Sequence, residues 1–170
     1  MILKLIGAIC IVVACVGAYT MIAVYHKREV ATLRGIIYAL EYMMSELEYK
    51  LPPLSDLCRN TANYCDKNLQ NVFLKLSNEL DNQISPDVRH CMESVLSKTS
   101  HISEESKHCL YLLGNSLGQF DLQGQLRALT SVKKECAEKL NKLLLNSDVR
   151  LRSYRTLGLC TGVALIILLI

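Results

Sequence analysis

The side chains that could do chemistry in this chain are scattered along it rather than clustered. His101, His108 and Cys109 come nearest to a metal-ligand set, since residues seven apart share a helical face. Ser103, followed by Glu104 and Glu105, reads as a helix start, which leaves His101 in the preceding turn and breaks the set. Cys58 and Cys65 are also seven apart. Two helical turns separate such a pair by about 10 Å, beyond the reach of a disulfide, so they are expected as core thiols. Glu41, Glu46 and Glu48 supply carboxylates with no nucleophile or metal ligand beside them, as on a solvated helix face. There is no glycine-rich phosphate loop ending in Lys and Ser/Thr, no Cys-x-x-Cys and no His-Glu-x-x-His. Lys133, Lys134, Lys139 and Lys142 alternate with Glu135 and Glu138, which suits a solvated face better than a nucleic-acid stripe. The expectation is a chain with no enzymatic activity, no cofactor, no bound metal and no nucleic-acid partner.

The elements that carry these residues are bracketed by two apolar runs. Leu5 to Tyr25 holds no group charged at neutral pH and, at about 20 residues, is long enough to cross a bilayer as a helix. Thr156 to Ile170 is shorter and closes on Val-Ala-Leu-Ile-Ile-Leu-Leu-Ile, an apolar surface that needs lipid or a partner. Lys27, Arg28 and Arg34 follow the first run, and Arg150, Arg152 and Arg155 precede the second. This asymmetry places the middle of the chain in the cytoplasm. Cys58, Cys65, Cys91, Cys109 and Cys136, an odd set, agree with a reducing compartment. Val12-Val13-Ala14-Cys15 is similar to a lipoprotein cleavage box, and Met1 to Lys4 to a signal-peptide start. The apolar run continues for ten residues after Cys15, however, where a mature lipoprotein starts a polar tether, so a retained span is expected. Gly158 and Gly162 in the second span, and Cys10, Ala14 and Ala18 in the first, form small-residue faces that let helices approach closely.

Between the spans every segment has helical periodicity. Val30, Leu33, Ile37, Leu40, Met44, Leu47 and Leu51 repeat at intervals of three and four, a heptad seam on a helix that continues from the first span. Pro52 and Pro53 end it. Short helices are expected over 54–65 and 68–80, then one opened by Ser85-Pro86-Asp87 and one opened by Ser103. Gly114 and Gly118 share a face that permits close packing, expected on the long returning helix. Gly118 suits a left-handed stop, and Asp121 suits the cap of the returning helix, which carries Leu126, Leu129, Cys136, Leu140 and Leu143. The fold class is therefore all-α: an antiparallel bundle of about six helices over 27–155, tethered by transmembrane helices at 1–26 and 156–170.

Several stretches in this order resemble one family. They are Met1-Ile2-Leu3-Lys4-Leu5-Ile6-Gly7-Ala8, Leu40-Glu41, Glu46-Leu47-Glu48-Tyr49 before a proline turn, the run from Leu113 to Asp121 with Gln125, and Tyr154-Arg155-Thr156-Leu157-Gly158. Together they are similar to the stage III sporulation protein AB family of endospore-forming bacteria, over the whole length. Pro52-Pro53 stands where a single proline is more usual, and the chain is richer in cysteine. The resemblance implies a non-enzymatic subunit of the channel complex between mother cell and forespore, in the mother-cell membrane around the forespore. It also implies kinship to the inner-membrane platform proteins of type II secretion and type IV pilus machines. The partners it implies are the complex's cytoplasmic hexameric ATPase (stage III sporulation protein AA), the other membrane subunits and membrane lipid, with a homo-oligomer also compatible.

The residues offered for partner binding are Pro52, Pro53, Leu54, Asp56 and Arg59, at a corner that about 1.5 Å per residue places some 30 Å along the helix from Glu29. A structural role as a helix hairpin fits the same residues. Two other functional classes fit the pattern without the family: a membrane-anchored adaptor or signalling bundle unrelated to secretion, and a lipoprotein or membrane-bound enzyme outside the cytoplasm.

Overall fold

A computed structural model describes residues 2–82, 87–118 and 121–169, with side chains at 13, 17 and, within those ranges, 20–145. Its described residues form six helices and no strand: α1 (Ile2–Tyr49), α2 (Leu54–Ala62), α3 (Lys67–Asp81), α4 (Val88–Ser97), α5 (Glu104–Ser116) and α6 (Leu122–Leu169). The chain divides into two compact units, 29–141 and the paired ends 1–28 with 142–170. Among the described residues no helix is long and apolar enough to cross a membrane. Most side chains of the expected spans, those of Gly158 and Gly162 included, lie outside the described residues.

The unit 29–141 is organised by one stripe of α1. Leu33, Ile36, Leu40, Met43 and Leu47 are almost wholly buried. They repeat at three and four residues, so they line one face. The seam expected from the sequence shares Leu33, Leu40 and Leu47 with this stripe but is turned slightly about the helix. Ile37 and Met44 are only half-buried, Ile36 and Met43 take their places, and Leu51 is exposed beyond the helix end. Leu57, Cys58 and Ala62 of α2, Leu69, Val72, Phe73 and Leu76 of α3, and Cys91, Met92 and Val95 of α4 are also buried. Leu110, Leu113 and Leu117 add to the same core. On α6 the buried positions are Gln125, Leu129, Val132 and Cys136, while Leu126, Leu140 and Leu143 stay half-buried.

Local chemistry sets the helix ends. Ser103 Oγ accepts from Ser106 N at 3.3 Å and Asp121 Oδ1 from Gly124 N at 3.1 Å, each relieving an unpaired donor of the first turn. Asp87 caps α4, its Oδ1 accepting from Arg89 N at 3.3 Å; the cap expected at Ser85 lies outside the described residues.

The rotated stripe makes a direct prediction. Truncating a large, fully buried side chain costs about 2 to 5 kcal/mol. Ile36→Ala and Met43→Ala are expected to lower the denaturation midpoint of the helical unit much more than Ile37→Ala and Met44→Ala, as read by chemical denaturation followed by circular dichroism.

Candidate functional site

The α1–α2 corner begins where α1 runs out of hydrogen-bond partners. Lys50 N donates to Glu46 O at 2.9 Å, and Leu51 then takes φ +47°, the left-handed position that usually holds glycine after a helix. Pro52 follows, and Pro53 O accepts from Leu57 N at 2.9 Å to open α2. A leucine in this conformation stores about 1 to 2 kcal/mol of steric cost. Its side chain recovers little by packing, being 63% exposed. Tyr49, 81% exposed, lies beside it in sequence. Two turns back on the same face of α1, Tyr42 stacks on Tyr64 with ring centroids 4.5 Å apart, and Tyr64 is itself 71% exposed. Tyr49 and Leu51 at the corner, and Tyr64 beside Tyr42 two turns back along α1, thus present large apolar and aromatic surface.

The five residues picked out from the sequence divide here. Pro53 is exposed and Pro52 half-exposed. Leu54 is committed elsewhere: its Cδ1 lies 3.2 Å from where a Cβ on Gly118 would stand. Gly118, at φ +77°, thus joins the α5–α6 turn to the corner, and the two features singled out separately in the sequence meet in space. Arg59 pairs with Asp56 at 3.2 Å and, across to α3, with Asp81. Ser55, which donates a hydrogen bond to it, and Arg59 hold the Asp81 carboxyl below its ordinary value. That contribution is complete above the unfolded carboxyl pKa and is lost as the pH falls through the folded one. Arg59 therefore ties α2 to α3. Tyr49 and Tyr64, which the spacing of the apolar residues does not single out, and Leu51, which that spacing assigns to the seam, carry the exposed surface. Leu51-Pro52 was the one local signal for it.

The remaining polar candidates are spent on packing. Glu41 meets Lys133 at 3.2 Å and Glu46 meets Lys50 at 3.1 Å, so these two carboxylates are ion-pair partners, and Glu48 is exposed. Lys139 reaches Glu105 at 3.4 Å and His108 reaches Glu135 at 3.3 Å, so α6 uses its charges to bind α5. Among the described residues no group of three or more His, Cys, Asp or Glu could hold a metal ion, and His101 stands exposed in the turn before α5. Burial pushes the Cys58 thiol up to about 12, and burial with Asp66 pushes Cys65 up to about 11, as suits unreactive thiols.

Gly114 packs against α4, not the returning helix expected from the sequence: a Cβ added there would stand 2.7 Å from Met92 Cβ. Arg89 locks the same crossing, donating to Tyr111 OH at 2.7 Å. Alanine at Gly114 raises helix propensity by about 1 kcal/mol, but overpacking costs roughly 1 to 3 kcal/mol, and Met92 Cβ is anchored to backbone. Gly114→Ala is expected to destabilise the unit. Gly35→Ala meets only the flexible tip of Leu69, at 2.8 Å, and is expected to have a smaller effect in the same melting experiment.

Three comparisons bear on kinship. The family model for stage III sporulation protein AB matches residues 4–170. A solved structure titled "Stage III sporulation protein AB (SpoIIIAB)" superimposes with a TM-score of 0.62 at 17% sequence identity, covering 72% of this chain and 98% of that one, and so shares its fold. No curated protein matches the sequence. With nearly its full length matched, the chain belongs to the stage III sporulation protein AB family.

Proposed function

We propose that this sporulation protein is a membrane-tethered scaffold that presents its helical unit in the cytoplasm to the hexameric ATPase of the sporulation channel complex. The observation that carries the reading is the division of labour along α1. Its second half buries a leucine-rich stripe, whereas in its first half Val13, Met21, Val24 and Tyr25 are 64%, 79%, 48% and 59% exposed. Exposed aliphatic surface of that kind on a helix suits lipid, and Lys27 and Arg28 at its border suit the cytoplasmic face. At the other end of the same helix, Tyr49, Leu51 and Tyr64 supply the aromatic and aliphatic surface from which interface anchors are drawn. Glu41, Glu46, Glu105 and Glu135 are taken up by ion pairs, and Asp87, Ser103 and Asp121 by caps, which fits a role in binding.

Two outcomes are expected. With a cysteine introduced at the exposed Asn71, a membrane-impermeant maleimide labels the protein only after permeabilisation; Cys58 and Cys109 are unsuitable reporters because both are fully buried. Combining Tyr49→Ala, Leu51→Ser and Tyr64→Ala weakens binding to the purified ATPase by about tenfold or more, since each 1.4 kcal/mol of lost anchor energy is tenfold in affinity. Charge reversal at Asp56 and Arg59 is a poorer test, because a glutamate at position 59 faces Asp81 and lowers stability as well.

A further inference from the structure

The thiols of Cys109 on α5 and Cys136 on α6 form a pair that no catalytic or scaffolding role uses. Both residues are 0% exposed. Their neighbours hold the two helices in register around them. His108 Nε2 meets Glu135 Oε1 at 3.3 Å, and Lys139 Nζ meets Glu105 Oε2 at 3.4 Å. Lys139 also reaches Glu135 Oε1 at 3.8 Å, so one ammonium group, itself only 19% exposed, is shared by carboxylates of both helices beside the thiols. The two thiols share this α5–α6 seam and bias one another's ionisation. Cys58, by contrast, feels burial alone.

We infer that Cys109 and Cys136 are a redox modification site, at which a peroxide converts the dithiol into a disulfide that staples α5 to α6. Cys109 is the attacking thiolate. The neighbouring Cys136 thiol, followed by the Lys139 ammonium, holds its thiol below the ordinary value, whereas the Cys136 thiol is pushed up by Cys109 and by burial. The Cys109 thiolate attacks one oxygen of hydrogen peroxide and breaks the O–O bond. The product is a sulfenic acid, and the other oxygen leaves as water after taking a proton. The Cys136 sulfur then attacks the sulfenic sulfur. The S–S bond forms, the S–OH bond breaks, and the hydroxyl leaves as a second water with the Cys136 proton. Two thiols and one peroxide thus become one disulfide and two waters. Peroxide is small and uncharged, which suits a pair with no exposed surface. An external dithiol reverses the reaction by exchange.

The test uses the full chain in detergent micelles, treated with hydrogen peroxide, alkylated and cut with trypsin. Cleavage after Lys107, Arg127, Lys134 and Lys139 puts the two cysteines on separate peptides, 108–127 and 135–139. The expected result is a joined peptide, two hydrogens lighter than the sum of the parts, that dithiothreitol separates. Its formation is accompanied by a higher denaturation midpoint. In Cys136→Ser the joined peptide is lost and Cys109 is trapped as a sulfenic acid by dimedone. Recovery of both peptides separately alkylated after oxidation overturns the inference. So does Cys109 driven to sulfinic acid with Cys136 still free, or either cysteine linked to a different one. The wild-type measurement decides the matter even if the serine variant fails to fold.

Discussion

Everything in the helical unit depends on the stripe from Leu33 to Leu47 being out of water. These five side chains are wholly or almost wholly buried, and α1 is, with α6, one of the two long helices that contribute to the unit. At about 25 cal/mol per Å² of apolar surface, burial of such residues dominates any surface ion pair. The ion pairs have a different job. Lys133 to Glu41 and Lys139 to Glu105 link α6 to α1 and α5, selecting its register. Close approach completes the arrangement where side-chain bulk is absent, at Gly114 against Met92 and at Gly118 against Leu54 and Val88.

The sequence made legible whatever is encoded locally. Helix identity follows from spacing, the α1 stop from Pro52-Pro53, the α5 start from Ser103, and the left-handed turn from Gly118. What it left open was decided by contacts between distant segments. Leu33, Leu40 and Leu47 belong to two possible seams, one completed by Ile37 and Met44 and the other by Ile36 and Met43. Both have spacings of three and four, so periodicity alone does not separate them. The packing of Leu69 against Gly35 belongs to the tertiary structure that chooses between them. Likewise, nothing near Arg59 announces Asp81, 22 residues on, and nothing near Gly114 says that its neighbour is α4. The corner itself was legible as a break, but its exposed surface comes from Tyr49 and Tyr64, whose types do not stand out in a helical pattern, and from Leu51, which the three-and-four spacing assigns to the buried seam.

A single helix, α1, thus faces two kinds of surroundings. Its second half is built to be covered by protein, and its first half carries aliphatic side chains left uncovered. Membership of the stage III sporulation protein AB family gives that contrast a setting in spore formation, and the solved relative shares the fold. On the proposed reading, the apolar half of α1 serves as an anchor and the exposed corner beyond Tyr49 as the contact for a cytoplasmic partner.

The most direct test of the two-surroundings claim is spin-label accessibility in lipid vesicles. Labels would be placed one at a time at Met21, Val24 and Tyr38, all exposed positions of α1. The account predicts that labels at Met21 and Val24 relax with oxygen, which concentrates in lipid, and are shielded from a water-soluble nickel chelate, while Tyr38 shows the reverse. Equal nickel accessibility at all three positions would contradict it.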